Sequence, residues 1–177
     1  LLIGVLGCMA QRVKDDIVKR APYVDLVLGT ASFRSAVQDL EDLRRGGGRV
    51  VRTERRPDPD FLPDADRDVP ARPDLPRAWV SVMRGCDHVC AYCIVPFSRG
   101  REVSRPLAEV LDETRRLADA GVREVTFLGQ DINTYGKDFG EGGLCSLLEP
   151  AAAIDGLDRI RCLTSTPFDM SEEMVRR

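Results

Sequence analysis

A proline-rich segment divides the chain and constrains its fold more than any other feature of the sequence. Six of the eleven prolines lie within residues 51–76, among aspartates and arginines. Proline removes a backbone hydrogen-bond donor and disfavours helix in the residue before it, so this segment is predicted to be an extended linker. We therefore predict three parts, which are residues 1–50, the linker at 51–76, and residues 77–177.

Short apolar runs alternate with amphipathic stretches on both sides of this linker. The pattern predicts strands at residues 1–6, 24–28, 78–83, 122–128 and 159–164, and helices at 11–20, 32–45, 106–120 and 144–153, with one more beginning at Ser171. Such alternation is typical of an α/β fold with parallel sheets. In these folds the chemistry lies at the carboxyl ends of the strands.

The first eight residues, LLIGVLGC, allow two interpretations. They resemble the apolar core of a signal peptide, but no basic stretch precedes them and the apolar run is only about seven residues long. A buried parallel strand explains the same pattern and is favoured. No run in the chain approaches the roughly 18 apolar residues of a membrane-spanning helix, so no membrane partner is predicted.

Three of the six cysteines, Cys86, Cys90 and Cys93, fall within eight residues in the spacing CxxxCxxC. Thiols this dense suit a metal better than a disulfide framework, and they indicate a reducing, cytoplasmic compartment. Soft sulfur selects an iron–sulfur cluster, zinc or copper(I). Zinc normally takes four protein ligands, for which His88 is the available fourth residue, whereas three cysteines on a four-iron cluster leave one iron open to a substrate or cofactor. The alternative to an enzyme is a non-catalytic iron–sulfur or zinc module.

A longer string around these cysteines resembles a known family. The segments are GCDHVCAYCIVPFSRGREVSRP at 85–106, LGQDINTYGKD at 128–138 and GCMAQ at 7–11. Together they are similar to the methylthiotransferase branch of the radical S-adenosylmethionine (SAM) enzymes. The resemblance implies that residues 1–50 end the family's amino-terminal domain and that 77–177 form the first half of its partial (βα) barrel. It also implies a piece of a longer protein, lacking both termini and inactive alone.

The resemblance assigns roles to four cysteines. Cys86, Cys90 and Cys93 would ligate a 4Fe–4S cluster whose remaining iron holds SAM. Cys8 matches the last of three cysteines that hold a second 4Fe–4S cluster in this family, and the other two would precede Leu1. The alternative for Cys8 is a small buried side chain at a strand end.

Further cofactor contacts follow from the same resemblance. Tyr92 occupies the family's aromatic position and would pack near the adenine of SAM, or else it is an ordinary packed tyrosine. Gly129 and Gln130 match the segment that approaches the methionine moiety, where glycine permits close backbone contact. No catalytic residue is assigned beyond the cluster ligands. Thr166 stands where the family carries a histidine, which puts the contacts made there in doubt.

The resemblance also implies a reaction and its partners. We expect a tRNA methylthiotransferase that acts by radical SAM chemistry on N6-isopentenyladenosine next to the anticodon. Its partners would be the tRNA anticodon stem-loop and a reducing electron donor. The alternative substrates are threonylcarbamoyladenosine in tRNA and an aspartate of a ribosomal protein. The cysteine loop also carries three arginines, Arg99, Arg101 and Arg105, which either face RNA phosphate or form a solvated loop. Two remaining cysteines, Cys145 and Cys162, are expected to be free, partly buried thiols.

Overall fold

The structure is a computed structural model that describes residues 1–54, 76–140 and 143–176. Two compact units divide these residues, one of 1–54 with 88–100 and one of 76–87 with 101–140 and 143–176. Most of the predicted linker at 51–76 lies outside the described residues. Among the described helices, none combines the length and the apolar character needed to cross a membrane.

The first unit is built on a small parallel sheet. Its elements are β1 (Gly4–Leu6), α1 (Cys8–Val13), α2 (Asp15–Arg20), β2 (Leu26–Leu28), α3 (Ala36–Arg44), β3 (Val50–Arg52) and, from the later segment, α4 (Val95–Ser98). The strand order is β1-β2-β3, with Val5 opposite Val27 and Val27 opposite Val51. Segment 88–100 joins this unit because α4 packs against α1 and Thr30 donates a hydrogen bond to the Ser98 carbonyl at 2.7 Å.

Strand β2 is buried on both faces, which explains why its sequence, LVL, is entirely apolar. Successive side chains of a strand point to opposite faces. Val27 packs with Ala10 and Val24 on one side, while Leu26 and Leu28 pack with Leu43 of α3 on the other. The sheet is therefore covered by helices on both faces.

The structure departs from the predicted elements in this unit at three places, one of which is the unpredicted helix α4. The helix predicted at 11–20 is broken into α1 and α2 at Lys14, whose backbone has a φ of 56°. Strand β3 was not predicted, and its pairing with β2 extends to Arg52, two residues into the predicted linker.

The second unit repeats the parallel pattern at larger size. Its elements are β4 (Arg77–Ser81), β5 (Met83–Arg84), β6 (Val103–Ser104), α5 (Leu107–Asp119), β7 (Glu124–Leu128), α6 (Leu144–Ala152), β8 (Arg159–Leu163) and α7 (Glu172–Arg176). The main sheet has the order β4-β7-β8 with all pairs parallel, and β5 pairs with β6 antiparallel. The predicted α/β class with parallel sheets is confirmed.

Two helices cover one face of this main sheet. Val80 of β4 and Phe127 of β7 are fully buried in a core shared with Val110 of α5 and Leu147 of α6. The register places Trp79, Thr126 and Arg161 abreast on adjacent strands. Because side chains alternate along a strand, these three lie on the opposite face, where Trp79 is 71% exposed.

Candidate metal centre

The first cysteine of the loop follows β5 and is held at its backbone. Gly85 has a φ of 74°, in the left-handed region that glycine adopts without steric cost. Its N–H donates a 2.6 Å hydrogen bond to Oε1 of Gln130, which lies two residues beyond β7. Gly85 and Cys86 are both buried. The end of β7 therefore fixes the chain just before Cys86.

The residue after Cys86 is held as well. Asp87 accepts a 2.8 Å hydrogen bond from the Arg101 guanidinium and a 3.1 Å bond from the Glu102 backbone N–H. The bond to Asp87 and its negative charge raise the pKa of the Arg101 guanidinium. Arg101 is thus engaged within its own unit, and both neighbours of Cys86 are tied to surrounding chain.

Cys90 and Cys93 belong to the first unit and form a tight turn. The Cys93 N–H donates to the Cys90 carbonyl at 3.0 Å, and the Val95 N–H lies 3.5 Å from Cys93 Sγ. Both thiols are half-buried. The Val95 N–H is thus directed at the sulfur of Cys93.

Cys8 is the first residue of α1 and is half-buried. Gln11 anchors this helix at the carboxyl edge of the first sheet, since its Oε1 accepts the Thr30 N–H at 3.1 Å and its Nε2 donates to the Thr53 carbonyl at 2.7 Å. Helix α1 also packs against α4, the helix that follows Cys93. Cys8 therefore lies on the element of the first unit that contacts the segment carrying two loop cysteines.

Three further residues were predicted to contact SAM, namely Tyr92, Gly129 and Gln130. Tyr92 is 92% exposed, so its ring is not packed among the described residues. Gly129 lies against Met83, and a Cβ at this position would stand 2.8 Å from Met83 Cγ. Packing against Met83 therefore favours a glycine here independently of any cofactor. The amide oxygen of Gln130 is directed at Gly85, an interaction that the sequence did not predict.

The three arginines of the loop differ in accessibility. Arg105 is 3% exposed and donates to Glu113 Oε2 at 2.6 Å, so the prediction that it faces RNA or solvent is wrong. Arg101 is paired with Asp87. Arg99, which follows α4, is exposed.

The loop after β7 connects strand ends within the second unit. Thr166, after β8, donates a 2.9 Å hydrogen bond to Asp131, and Ser165 donates one of 2.9 Å to Asn133. The same loop is also bonded to β6, because the backbone N–H of Ser104 donates a hydrogen bond to Asp138 at 2.9 Å. Thr166, which the sequence aligns with a histidine of the family, is therefore bonded to Asp131.

The donor set fits an iron–sulfur cluster. Cys86, Cys90 and Cys93 supply three thiols within eight residues, none of them in a disulfide. Thiolates are the ligands that iron–sulfur clusters take.

Cys145 and Cys162 are free and half-buried, as predicted, and line a separate cavity of about 400 Å³ between α6, α7 and the end of β8.

Comparison with known proteins gives consistent matches. The family model of the Radical SAM superfamily matches residues 80–177. A tRNA-2-methylthio-N(6)-dimethylallyladenosine synthase of Dictyoglomus thermophilum is 44% identical over 99% of this chain and 39% of its own length. Proteins of the same name from Cereibacter sphaeroides and Thermotoga petrophila are 44% and 42% identical, again over 99% of the chain. The chain spans about two fifths of the length of these curated relatives.

Proposed function

The chain belongs to the Radical SAM superfamily, and we propose that it is part of an enzyme that adds a methylthio group to N6-dimethylallyladenosine in tRNA. Relatives that match 99% of the chain at 42–44% identity are named for this reaction. Since the chain covers about two fifths of those proteins, the proposal concerns the activity of the whole protein.

One observation carries this proposal. The three thiols of Cys86, Cys90 and Cys93 follow the first strands of the second unit, inside the residues matched by the superfamily model. Ligands and cofactors of parallel α/β folds bind at the carboxyl ends of strands. The position of the three cysteines in the sequence, directly after β5, therefore supports the proposal.

The residues have separate roles in this proposal. Cys86, Cys90 and Cys93 hold a 4Fe–4S cluster, and the exposed ring of Tyr92 is accessible to the adenine of SAM. When bound, the cluster supplies the electron that cleaves SAM. Gly129 lets the backbone after β7 approach the methionine moiety of SAM closely. Gln130 and Asp87 hold the chain on the two sides of Cys86.

The second cluster and the domain plan belong to the same proposal. Cys8 supplies one of three ligands of a second 4Fe–4S cluster, at the start of the helix that packs against α4. Residues 77–177 form the beginning of a partial barrel and 1–50 the end of an amino-terminal domain, with the linker between them beginning only after β3. The helices on one face of the main sheet, with Trp79 and Arg161 on the other, support this arrangement, because a barrel carries its helices outside.

The proposed partners are the anticodon stem-loop of tRNA and a reducing electron donor, and the proposed location is the cytoplasm. Arg99 is the arginine of the loop that supports an RNA contact, since it is exposed. Arg101 and Arg105 instead pair with carboxylates of the second unit. Phosphate contacts position RNA without reading its sequence.

Metal analysis with SAM cleavage tests the proposal. The protein is reconstituted anaerobically with iron and sulfide, and iron, zinc and 5′-deoxyadenosine are measured. We expect SAM cleavage by the unaltered protein, and about four fewer irons per chain and no cleavage in a C86A/C90A/C93A variant. The matched control is C145A, which removes a thiol outside the loop. Stoichiometric zinc without cleavage would refute the proposal and establish a structural zinc module.

A second assay addresses the substrate. Anticodon stem-loop RNAs bearing either N6-dimethylallyladenosine or threonylcarbamoyladenosine are incubated with the complete, reconstituted enzyme. We expect the mass increase of a methylthio group on the dimethylallyl RNA. Modification of the threonylcarbamoyl RNA instead, or of a ribosomal protein aspartate, would assign the enzyme to a sister group.

A further inference from the structure

The backbone N–H of Gly85 is a buried donor directly beside a cysteine of the candidate centre. A buried backbone donor without an acceptor is costly, so its partner has a large effect on local conformation. That partner is the side-chain oxygen of Gln130, 45 residues further along the chain and 2.6 Å away. Both residues belong to the second unit.

Glycine makes this contact important for the conformation of Cys86. Gly85 has a φ of 74°, and a glycine reaches many other backbone conformations at little cost. The residue therefore does not fix its own geometry. The bond from Gln130, which extends from the rigid end of β7, selects one conformation and so sets the direction in which the chain enters Cys86.

The other neighbour of Cys86 is restrained independently. Asp87 accepts hydrogen bonds from both the Arg101 side chain and the Glu102 backbone, just before β6. Cys86 thus lies between two residues that are each tied to another part of the second unit. Of the three loop cysteines, it is the one that is buried.

We propose that Gln130 is a positioning residue for Cys86, acting through the Gly85 N–H and not through a contact with the nucleotide. The proposal rests on the proposed function, in which Cys86 is a cluster ligand. Partners that orient metal ligands matter in the same way as the ligands, and their loss commonly weakens metal binding about 10- to 100-fold. Asp87 holds the opposite flank.

Two substitutions separate this role from a general effect on folding. Gln130→Met keeps the length of the side chain and removes the acceptor, whereas Gln130→Glu keeps an oxygen that accepts from Gly85. The matched control is Gln38→Met on α3, where the glutamine amide donates to Asp42 on an exposed surface. Thermal unfolding of all three variants reports on the fold.

The first measurement needs no metal. Amide hydrogen exchange is followed in the apo protein on peptides that resolve Gly85. We expect Q130M to accelerate exchange of this amide by about tenfold, in line with the loss of one hydrogen bond. Q130E and Q38M should retain the protection of the unaltered protein. Unchanged exchange in Q130M would overturn the contact itself.

The second measurement uses the reconstituted cluster without SAM. A chelator extracts iron, and the rate is followed by the loss of visible absorption. We expect at least ~10-fold faster extraction from Q130M, with recovery in Q130E. Equal rates for Q130M and the unaltered protein would refute a positioning role. If the unaltered protein holds no cluster at all, the proposed function fails instead, and the exchange result stands separately.

Discussion

Arg105 donates a 2.6 Å hydrogen bond to Glu113, and their side chains are only 4% and 7% exposed. The same guanidinium donates to the Ser81 carbonyl at the end of β4, at 2.8 Å. The buried hydroxyl of Tyr135 donates to the Arg105 carbonyl at 2.8 Å. Arg105 thus connects α5, β4 and the loop after β7.

Replacement of Glu113 by alanine should strongly destabilise the second unit. The variant leaves the Arg105 guanidinium buried without its counter-charge, which typically costs about 3 kcal/mol or more. Urea denaturation followed by circular dichroism measures the loss. The control is Asp112→Ala on the same helix, because Asp112 pairs with Arg115 at the surface and such pairs contribute less than about 1 kcal/mol. Equal losses in the two variants would contradict the assigned role of Arg105.

Asp39 should make the first unit sensitive to acid. Burial raises the pKa of its carboxyl, but hydrogen bonds from Arg52 and Ser35 outweigh burial, so the pKa lies below the usual aspartate value. The ionised carboxyl of Asp39 therefore stabilises the folded state at pH values above the unfolded pKa of about 3.9. This stabilisation is lost as the pH falls through the lower pKa of the folded state.

Asp39→Asn should therefore be less stable than the unaltered protein at pH 7, and the difference should shrink towards pH 3. The measurement is urea denaturation across this pH range. Asp42→Asn provides the control, since Asp42 lies on the same helix with an exposed side chain. A stability difference for D39N that stays constant with pH would show that the charge of Asp39 is not involved.

Local sequence pattern was enough to predict most of the elements and the cysteine loop. Apolar runs identified β2 and β7, and the close spacing of Cys86, Cys90 and Cys93 identified the candidate centre. These features depend on residues close together in the chain. Ser171 is an example, because it caps α7 by accepting the Met174 N–H at 3.2 Å, as its position before the helix predicts.

Features that depend on distant residues were not predictable. Lys14 interrupts a continuous helical pattern that contains no glycine or proline, so nothing in the sequence marks the break. Strand β3 has only two apolar residues and exists through its pairing with β2. Ser104 lies in β6 and accepts the N–H of Gly136, 32 residues away, at 3.0 Å. The contact from Gln130 to Gly85 spans 45 residues and has no local signal.

Gly129→Ala should destabilise the second unit through a steric conflict. The added Cβ would stand 2.8 Å from Cγ and 3.1 Å from Sδ of the buried Met83. Overpacking of this kind costs about 1–3 kcal/mol. Gly48→Ala is the control, because nothing lies within 4 Å of its Cβ position. Chemical denaturation measures both variants, and G129A should cost less stability in an M83A background than in the unaltered chain if Met83 is the conflicting residue.

Cys162 should react slowly with alkylating reagents in the folded protein. Burial raises the pKa of its thiol to about 11, whereas an unfolded cysteine has a pKa of about 8.5. Because the thiolate is the reactive form, alkylation by iodoacetamide at pH 8.5 should be roughly 100-fold slower in the folded than in the urea-unfolded protein. Peptide mass spectrometry resolves Cys162 from the other five cysteines. The folded rate should rise steeply between pH 9 and pH 11, and equally fast labelling of the folded and unfolded chains at pH 8.5 would refute the burial of this thiol.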